Sequence, residues 1–132
     1  MFISLYGRHL RTASVILPYS TNSPRKVEEK IKKLKTYLTP GKTNFAFMFA
    51  CLGRGEGLHG EVNVESSIFR KHFPSTPLIG LFGNGEIGCD FYPTGSENTS
   101  SQDYKRKTNK KKLYHSYTSV FILFSVGSEH SS

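Results

Sequence analysis

The sequence predicts a single α/β domain in which a mixed β-sheet packs against two helices. Apolar residues recur at helical spacing in two segments, short apolar runs separate these segments, and the elements follow the order β-α-β-α-β-β-β. The chain has 132 residues, enough for one ordinary domain and too few for two. We assign residues 11–127 to this domain, residues 1–10 to an N-terminal lead and residues 128–132 to a disordered tail.

The first half of the domain predicts a strand, a helix and a second strand. Residues 12–17 are rich in Val, Ile and Leu, as expected of a buried strand. Ser23 followed by Pro24 is typical of a helix start. Apolar residues then recur at helical spacing: Val27, Ile31, Leu34 and Leu38. Residues 44–52 are apolar almost throughout, which predicts a strand buried on both faces and parallel to the first.

A second helix is predicted after a glycine-rich loop at residues 53–60. Asn63 is a suitable N-cap residue, and Glu65 would lie in the first turn, where a carboxylate interacts favourably with the helix dipole. The residues expected to face the core are Val64, Ile68, Phe69 and Phe73. Residues 114–126 predict the last strand of the domain.

Asn84-Gly85 predicts a hairpin turn between two short strands at residues 78–82 and 87–92, because both central positions tolerate positive φ. The glycines at positions 83, 85 and 88 also match the pattern G-x-G-x-x-G. A dinucleotide site requires the third glycine to lead into a helix. Gly88 leads instead into an extended segment that ends at a proline, so we favour the turn.

The positive charge is concentrated in one segment. The net charge is +8, and residues 105–112 contribute six positive charges and no acid. We interpret residues 94–112 as a polar basic loop that buries too little apolar surface to fold. The tract fits a solvated loop, a nuclear localisation signal or a nucleic-acid-binding patch. Nucleic-acid binding is disfavoured because Tyr104 alone, next to this tract, offers an aromatic ring for stacking on bases.

Several classes of protein are disfavoured by the composition. The N-terminus does not resemble a secretory signal, and no apolar run approaches the roughly 18 residues of a membrane helix. Cys51 and Cys89 are too few and too far apart for a disulfide framework or a cysteine zinc site. We expect a cytoplasmic or nuclear protein without metal or cofactor, and no spacing of cysteine and histidine requires thiol catalysis.

The glycine-rich loop is the strongest candidate for a binding site, since it lies between a buried strand and a helix. Gly53 and Gly55 would expose backbone N–H groups, and Arg54 would pair with a carboxylate. The alternative is a connector in which Arg54 has a structural role. A second candidate segment completes the site if the two lie near each other: Asn84, Gly85 and Glu86.

Four segments resemble the C-terminal domain of the FIST family. They are residues 47–55 (FMFACLGRG), 60–74 (GEVNVESSIFRKHFP), 77–90 (PLIGLFGNGEIGCD) and 114–118 (YHSYT). The resemblance is strong over residues 45–90 and 113–127, and weaker but with the same order of elements over residues 11–38. It implies a FIST C-terminal-like α/β fold.

The resemblance also implies a role in ubiquitin-dependent protein catabolism. In the family's F-box members, an N-terminal F-box docks to the adaptor of a cullin–RING ligase, and the FIST region helps to engage the substrate. This sequence shows no F-box, and residues 96–112 are polar where a further strand is expected. We therefore expect a non-catalytic module that binds a protein substrate or small ligand and reaches the ligase through a full-length relative. The alternative is a basic nucleic-acid-associated protein.

Overall fold

A computed structural model describes residues 3–38, 43–93 and 112–127. The predicted basic loop, apart from Lys112, and the predicted tail at residues 128–132 lie outside these ranges. Both therefore stay predictions.

Within the described residues, the main sheet has four strands. They are β1 (Leu10–Leu17), β2 (Thr43–Cys51), β3 (Leu78–Gly83) and β6 (Ser119–Val126). Their spatial order is β1-β6-β2-β3. Strand β6 pairs antiparallel with β1 and with β2, while β2 pairs parallel with β3. Strands β1 and β2 therefore run parallel, as predicted, but β6 separates them.

Three α-helices are seen in the described residues. They are α1 (Pro24–Tyr37), α2 (Glu56–His59) and α3 (Val64–His72). Helices α1 and α3 are the two that were predicted. Helix α2 and a 3-10 turn at Leu52–Arg54 lie within the glycine-rich loop, where four residues are too short for a periodic signal. The predicted α/β fold with a mixed sheet is confirmed.

The core lies between one face of the sheet and helices α1 and α3. All four predicted apolar positions of α1 are buried, and they pack with β-strand residues that include Val15, Met48 and Leu123. Phe69 of α3 stacks on Phe121 of β6, with 5.6 Å between ring centroids. The two helices are thus fixed on the sheet by an apolar layer that the spacing in the sequence predicted.

The opposite face of the sheet is only half-buried. In β2, three half-buried phenylalanines (Phe45, Phe47 and Phe49) alternate with buried residues (Ala46, Met48 and Ala50). Phe45 stacks on Phe124 of β6 at 4.7 Å between ring centroids. The prediction that β2 is buried on both faces is therefore wrong. Aromatic side chains shield one another on this face, so the sequence looks apolar throughout although no described helix covers it.

The predicted hairpin at Asn84-Gly85 is also wrong. Strand β3 pairs with β2, whereas β4 (Glu86–Ile87) pairs antiparallel with β5 (Tyr114–His115) in a separate small sheet. The tight turn requires positive φ at both central residues, and only Gly85 has it, with φ of 93°. No helix begins at residues 85–88 of the described chain, so the dinucleotide geometry is not formed there either.

Two predicted strands are shorter than expected. The predicted last strand divides into β5 and β6 at Tyr117, whose φ is 57°. Of residues 87–92, Phe91 forms an isolated bridge with Ser14 of β1, through hydrogen bonds of 2.8 and 2.9 Å. This bridge covers part of the outer edge of β1.

Both predicted helix starts have the right position, but neither side chain caps its helix. Ser23 has extended backbone and Asn63 is left-handed, with φ of 60°. The Ser23 carbonyl accepts from the Val27 N–H at 3.0 Å, and the Asn63 carbonyl accepts from the Ser67 N–H at 2.9 Å. The backbone alone therefore begins the two helices.

An ion-pair cluster at the surface joins α1 to α3. The Glu28 carboxylate of α1 accepts from Lys71 Nζ at 3.0 Å and lies 2.8 Å from His72 Nε2, both in α3. The hydrogen bond from Lys71, followed by that from His72, lowers the pKa of Glu28 from 4.5 to about 2. Because the folded pKa lies below the unfolded value, this stabilisation is present above about pH 4.5 and is lost as the pH falls towards 2.

Replacing Glu28 by Gln is expected to remove this pH-dependent contribution. The wild type should be more stable than Glu28→Gln at about pH 5, and the difference should shrink towards about pH 2. The effect is small because the cluster faces solvent. Urea unfolding at several pH values measures it, with Glu29→Gln on the same helix as the control. A difference that stays constant over this range would contradict the role assigned to Glu28.

Candidate functional site

The two predicted site segments follow the carboxyl ends of β2 and β3, which are neighbours in the main sheet. Cys51, the last residue of β2, lies opposite Gly83, the last residue of β3. Thr118 joins the two segments: its carbonyl accepts from the Cys51 N–H at 3.0 Å, and its N–H donates to Glu86 Oε1 at 2.8 Å. This edge is the usual place for a ligand in α/β sheets.

Two of the predicted glycines allow close contact with tyrosines. A Cβ atom at Gly53 would lie 3.1 Å from Tyr117 Cδ1. At Gly85, where φ is positive, a Cβ atom would lie 2.5 Å from the Tyr114 hydroxyl oxygen. Only glycine fits at position 85 without strain. Gly55 is less restricted, since a Cβ atom there would lie 3.8 Å from the Phe82 ring.

Arg54 is not exposed to an incoming ligand. It is 1% exposed, and its Nε donates to Glu65 Oε1 at 2.9 Å. Its two terminal nitrogens donate to the carbonyls of Pro18 at 2.9 Å and Thr21 at 3.0 Å. The guanidinium is therefore occupied inside the domain, as in the structural alternative given above. Arg54 is a positioning residue that holds the loop against the segment between β1 and α1.

Glu65 is the centre of a buried polar cluster that the sequence did not reveal. Its carboxylate accepts from Arg54 and, at 2.5 Å, from the Ser119 hydroxyl of β6, and it lies 3.0 Å from His59 Nε2 of α2. The sequence suggested only a helix-dipole role for Glu65. Its partners are 6, 11 and 54 positions away, and no periodicity relates them. We call Arg54, His59, Glu65 and Ser119 the Glu65 cluster.

Two buried polar atoms at this edge have no hydrogen-bond partner among the described residues: His59 Nδ1 and Glu86 Oε2. The other oxygen of Glu86 accepts from the N–H and the hydroxyl of Thr118. Buried polar atoms in folded proteins are generally satisfied by protein, water or ligand. Both atoms are enclosed by the protein, whereas Asn84 beside Glu86 is exposed. Binding at these residues stays a prediction.

A cavity of about 170 Å³ lies between β3 and α3. It is lined by Leu78, Gly80 and Phe82 of β3, by Asn63, Ser66 and Arg70 near α3, and by Met48 and His59. Drug-sized ligands occupy sites of about 300 Å³ or more. This cavity therefore suits a single amino-acid side chain or a very small ligand.

His115 and Asp90, two titratable side chains close to Cys89 in this part of the fold, are held by backbone contacts. His115 Nε2 lies 3.0 Å from the Gly88 carbonyl, and Asp90 accepts from the Ile16 N–H at 2.8 Å. Both cysteines are free thiols.

The described residues contain no group of three or more side chains suited to holding a metal ion. None of the helices within those residues is long and apolar enough to cross a membrane.

The fold and this edge define a class of protein: an α/β module whose loops, buried carboxylates and cavity gather at the carboxyl ends of two parallel strands. The model of the FIST C domain matches residues 9–89, and the chain belongs to this family. The match includes both candidate segments. The resemblance predicted from the four sequence segments is therefore confirmed.

The chain is similar to F-box proteins. It is 40% identical to F-box only protein 22 from Homo sapiens and 39% identical to F-box only protein 22 from Pongo abelii, in each case over 96% of this chain and 31% of the relative. It is 33% identical to an F-box/LRR-repeat protein from Arabidopsis thaliana, over 61% of this chain and 14% of that protein. The chain thus spans about a third of the first two relatives (31%). It is an F-box-protein-like module.

Proposed function

We propose that this domain is a non-catalytic recognition module that binds a protein substrate or small ligand for an F-box ubiquitin ligase. The observation that supports it is the position of residues 53–55 and 84–86, which follow the carboxyl ends of the paired strands β2 and β3, with a cavity next to the first segment. Family membership and the similarity to proteins named for their F-box support the link to ubiquitin-dependent catabolism. In this proposal the module works in the cytoplasm or nucleus and contacts cullin–RING components through a full-length relative.

The residues of this surface have separate roles in the proposal. Asn84 is exposed and contacts the partner directly. Glu86 is buried, and its hydrogen bonds to Thr118 fix the backbone beside Asn84. Gly85 permits the turn that presents Asn84, and the Glu65 cluster fixes the neighbouring loop. Recognition therefore depends on shape and a few polar contacts more than on net charge.

The alternative class is a nucleic-acid-associated protein, and it depends on residues 105–112. All of them but Lys112 lie outside the described residues. A nucleic-acid binder loses affinity with a slope of about 0.9 in log salt for each phosphate neutralised. Binding at Asn84 is expected to persist at moderate salt. A salt titration of the bound partner distinguishes the two classes.

A chimera of human F-box only protein 22 tests the proposed function. The segment that aligns with this chain is replaced by the chain, and the chimera is expressed in cells that lack the human protein. Proteins that accumulate in those cells are expected to return towards their normal abundance, whereas the same protein without the segment should have no such effect. Quantitative proteomics measures both.

Two variants of the chimera are compared. The test variant is Asn84→Arg, at the proposed surface, and its control is Ser67→Arg, on the exposed side of α3. Asn84→Arg is expected to abolish the rescue, and Ser67→Arg to preserve it. A chimera that is expressed at normal abundance but rescues no better than the deletion would contradict the proposal.

A further inference from the structure

Strand β3 is an edge strand of the main sheet as the described residues form it. It pairs with β2 on one side, and no described residue pairs with it on the other. Ile79, Leu81 and Phe82 are 64%, 57% and 52% exposed. The strand contains no charged residue and no proline, which are the usual means of blocking an exposed edge. An edge of this kind is suited to pairing with another strand.

The parallel pairing determines which backbone groups of β3 face outwards. Ala46 lies opposite Leu78, and the Ala46 N–H donates to the Pro77 carbonyl at 2.9 Å. In a parallel ladder, alternate residues of a strand bond to a given neighbour. The residues at positions 79, 81 and 83 therefore bond to β2. The N–H and C=O groups of Leu78, Gly80 and Phe82 point away from it.

The same three residues line the cavity between β3 and α3. The outward backbone groups and the cavity thus belong to one groove, with a strand edge on one side and a helix on the other. Gly80 has no side chain, which leaves space in the middle of the groove. We call this feature the β3 groove.

We propose that the β3 groove binds an extended peptide segment, which adds to β3 as a further strand and places one apolar side chain in the cavity. This inference rests on the proposed function, for which it names the class of substrate. Met48, Leu78 and Phe82 would contact the inserted side chain. Main-chain hydrogen bonds supply affinity in this mode of recognition, and the pocket supplies specificity.

The charge at the groove further defines the peptide. Arg70 and Glu61 both line the cavity, both are exposed, and neither makes an ion pair with any described residue. An acidic residue of the peptide would pair with Arg70, and a basic residue would pair with Glu61. The preferred segment is therefore extended and contains an apolar residue with charged neighbours.

A second copy of the chain fits this groove less well. Pairing β3 with itself about a two-fold axis would place the same surface on both partners. The central residue, Gly80, has no side chain to fill the cavity of the other copy.

A random library of peptides about ten residues long, displayed on phage, is selected against the folded wild-type chain. Enriched peptides are synthesised, and their affinity is measured by fluorescence anisotropy. Ser66→Tyr, which fills the cavity mouth, is expected to weaken binding by at least about tenfold. The matched control Ser67→Tyr, on the exposed side of the same helix, should change affinity by less than about twofold. Melting temperatures establish whether both variants fold. If Ser66→Tyr does not fold, Arg70→Glu replaces it as the test variant.

Amide hydrogen exchange gives a second measurement, specific to strand addition. On peptide binding, the amides of Gly80 and Phe82 should gain protection, and methylation of alternate peptide N–H groups should abolish binding. The proposal is overturned if no peptide is enriched over the Ser66→Tyr chain, if the protected amides lie elsewhere, or if the free chain self-associates through β3 in sedimentation experiments.

The chimera distinguishes failure of this inference from failure of the proposed function. If the chimera is active and Ser66→Tyr leaves its activity unchanged, the β3 groove is not the recognition site and the proposed function stands. If the chimera is inactive although peptides bind at β3, the proposed function fails and the groove remains a peptide site.

Discussion

Arg54→Ala is expected to lower the free energy of unfolding by about 3–5 kcal/mol, the value typical of breaking a buried ion pair. The Arg54 side chain is fully buried and paired with the buried carboxylate of Glu65. Its removal would leave that charge with fewer donors. The carbonyls of Pro18 and Thr21, which now accept from Arg54, would also lose their side-chain partner.

Urea unfolding followed by circular dichroism measures this loss. The control is Arg25→Ala, because Arg25 pairs with Glu29 at 3.4 Å on the exposed face of α1, and such pairs contribute about 1 kcal/mol or less. The double variant Arg54→Met/Glu65→Leu should be more stable than Arg54→Met, because it leaves no unpaired buried carboxylate. Equal stability of Arg54→Ala and the wild type would show that the Glu65 cluster does not hold the loop.

The elements predicted well were those determined by local spacing. The apolar residues from Val27 to Leu38 are buried as expected, because helical periodicity within this one segment places them on the same face. The strand-helix-strand order likewise predicted that β1 and β2 run parallel. The spacing of apolar residues within one segment is therefore enough to predict which face of a helix is buried.

Strand pairing was harder to predict, because it is decided by competition between distant segments. Asn84-Gly85 favours a hairpin locally, but β3 instead pairs with the long apolar strand β2 across the α3 crossover. Strand β6 then inserts between β1 and β2, more than 60 residues later in the chain than β2. Neither pairing leaves a signal in a single short window.

The position of the two candidate segments follows from the strand pairing, and binding at them stays a prediction. Loops after neighbouring parallel strands share one edge, so residues 53–55 and 84–86 both follow the carboxyl ends of β2 and β3. Whether Arg54 faces solvent or Glu65 depends on the tertiary packing of α2 and α3.

Phe69→Ala is expected to lower the free energy of unfolding by about 3–5 kcal/mol and also to weaken peptide binding in the β3 groove. Phe69 is fully buried. Between ring centroids, it stacks on Phe121 of the sheet at 5.6 Å and on Phe73 at 4.8 Å. Its removal leaves a cavity under α3, the helix that forms one wall of the groove. The stability of the core and the shape of the groove therefore depend on the same side chain.

Chemical unfolding and fluorescence anisotropy with the selected peptide measure the two effects of Phe69→Ala separately. Ile87→Ala is the control, because Ile87 is 72% exposed and its truncation should change stability by no more than about 0.5 kcal/mol. Phe69→Leu fills part of the cavity and is expected to recover part of both losses. If Phe69→Ala remained largely folded and bound the peptide with unchanged affinity, α3 would not form the wall of the groove. Recognition would then have to depend on β3 and the loops at its carboxyl end alone.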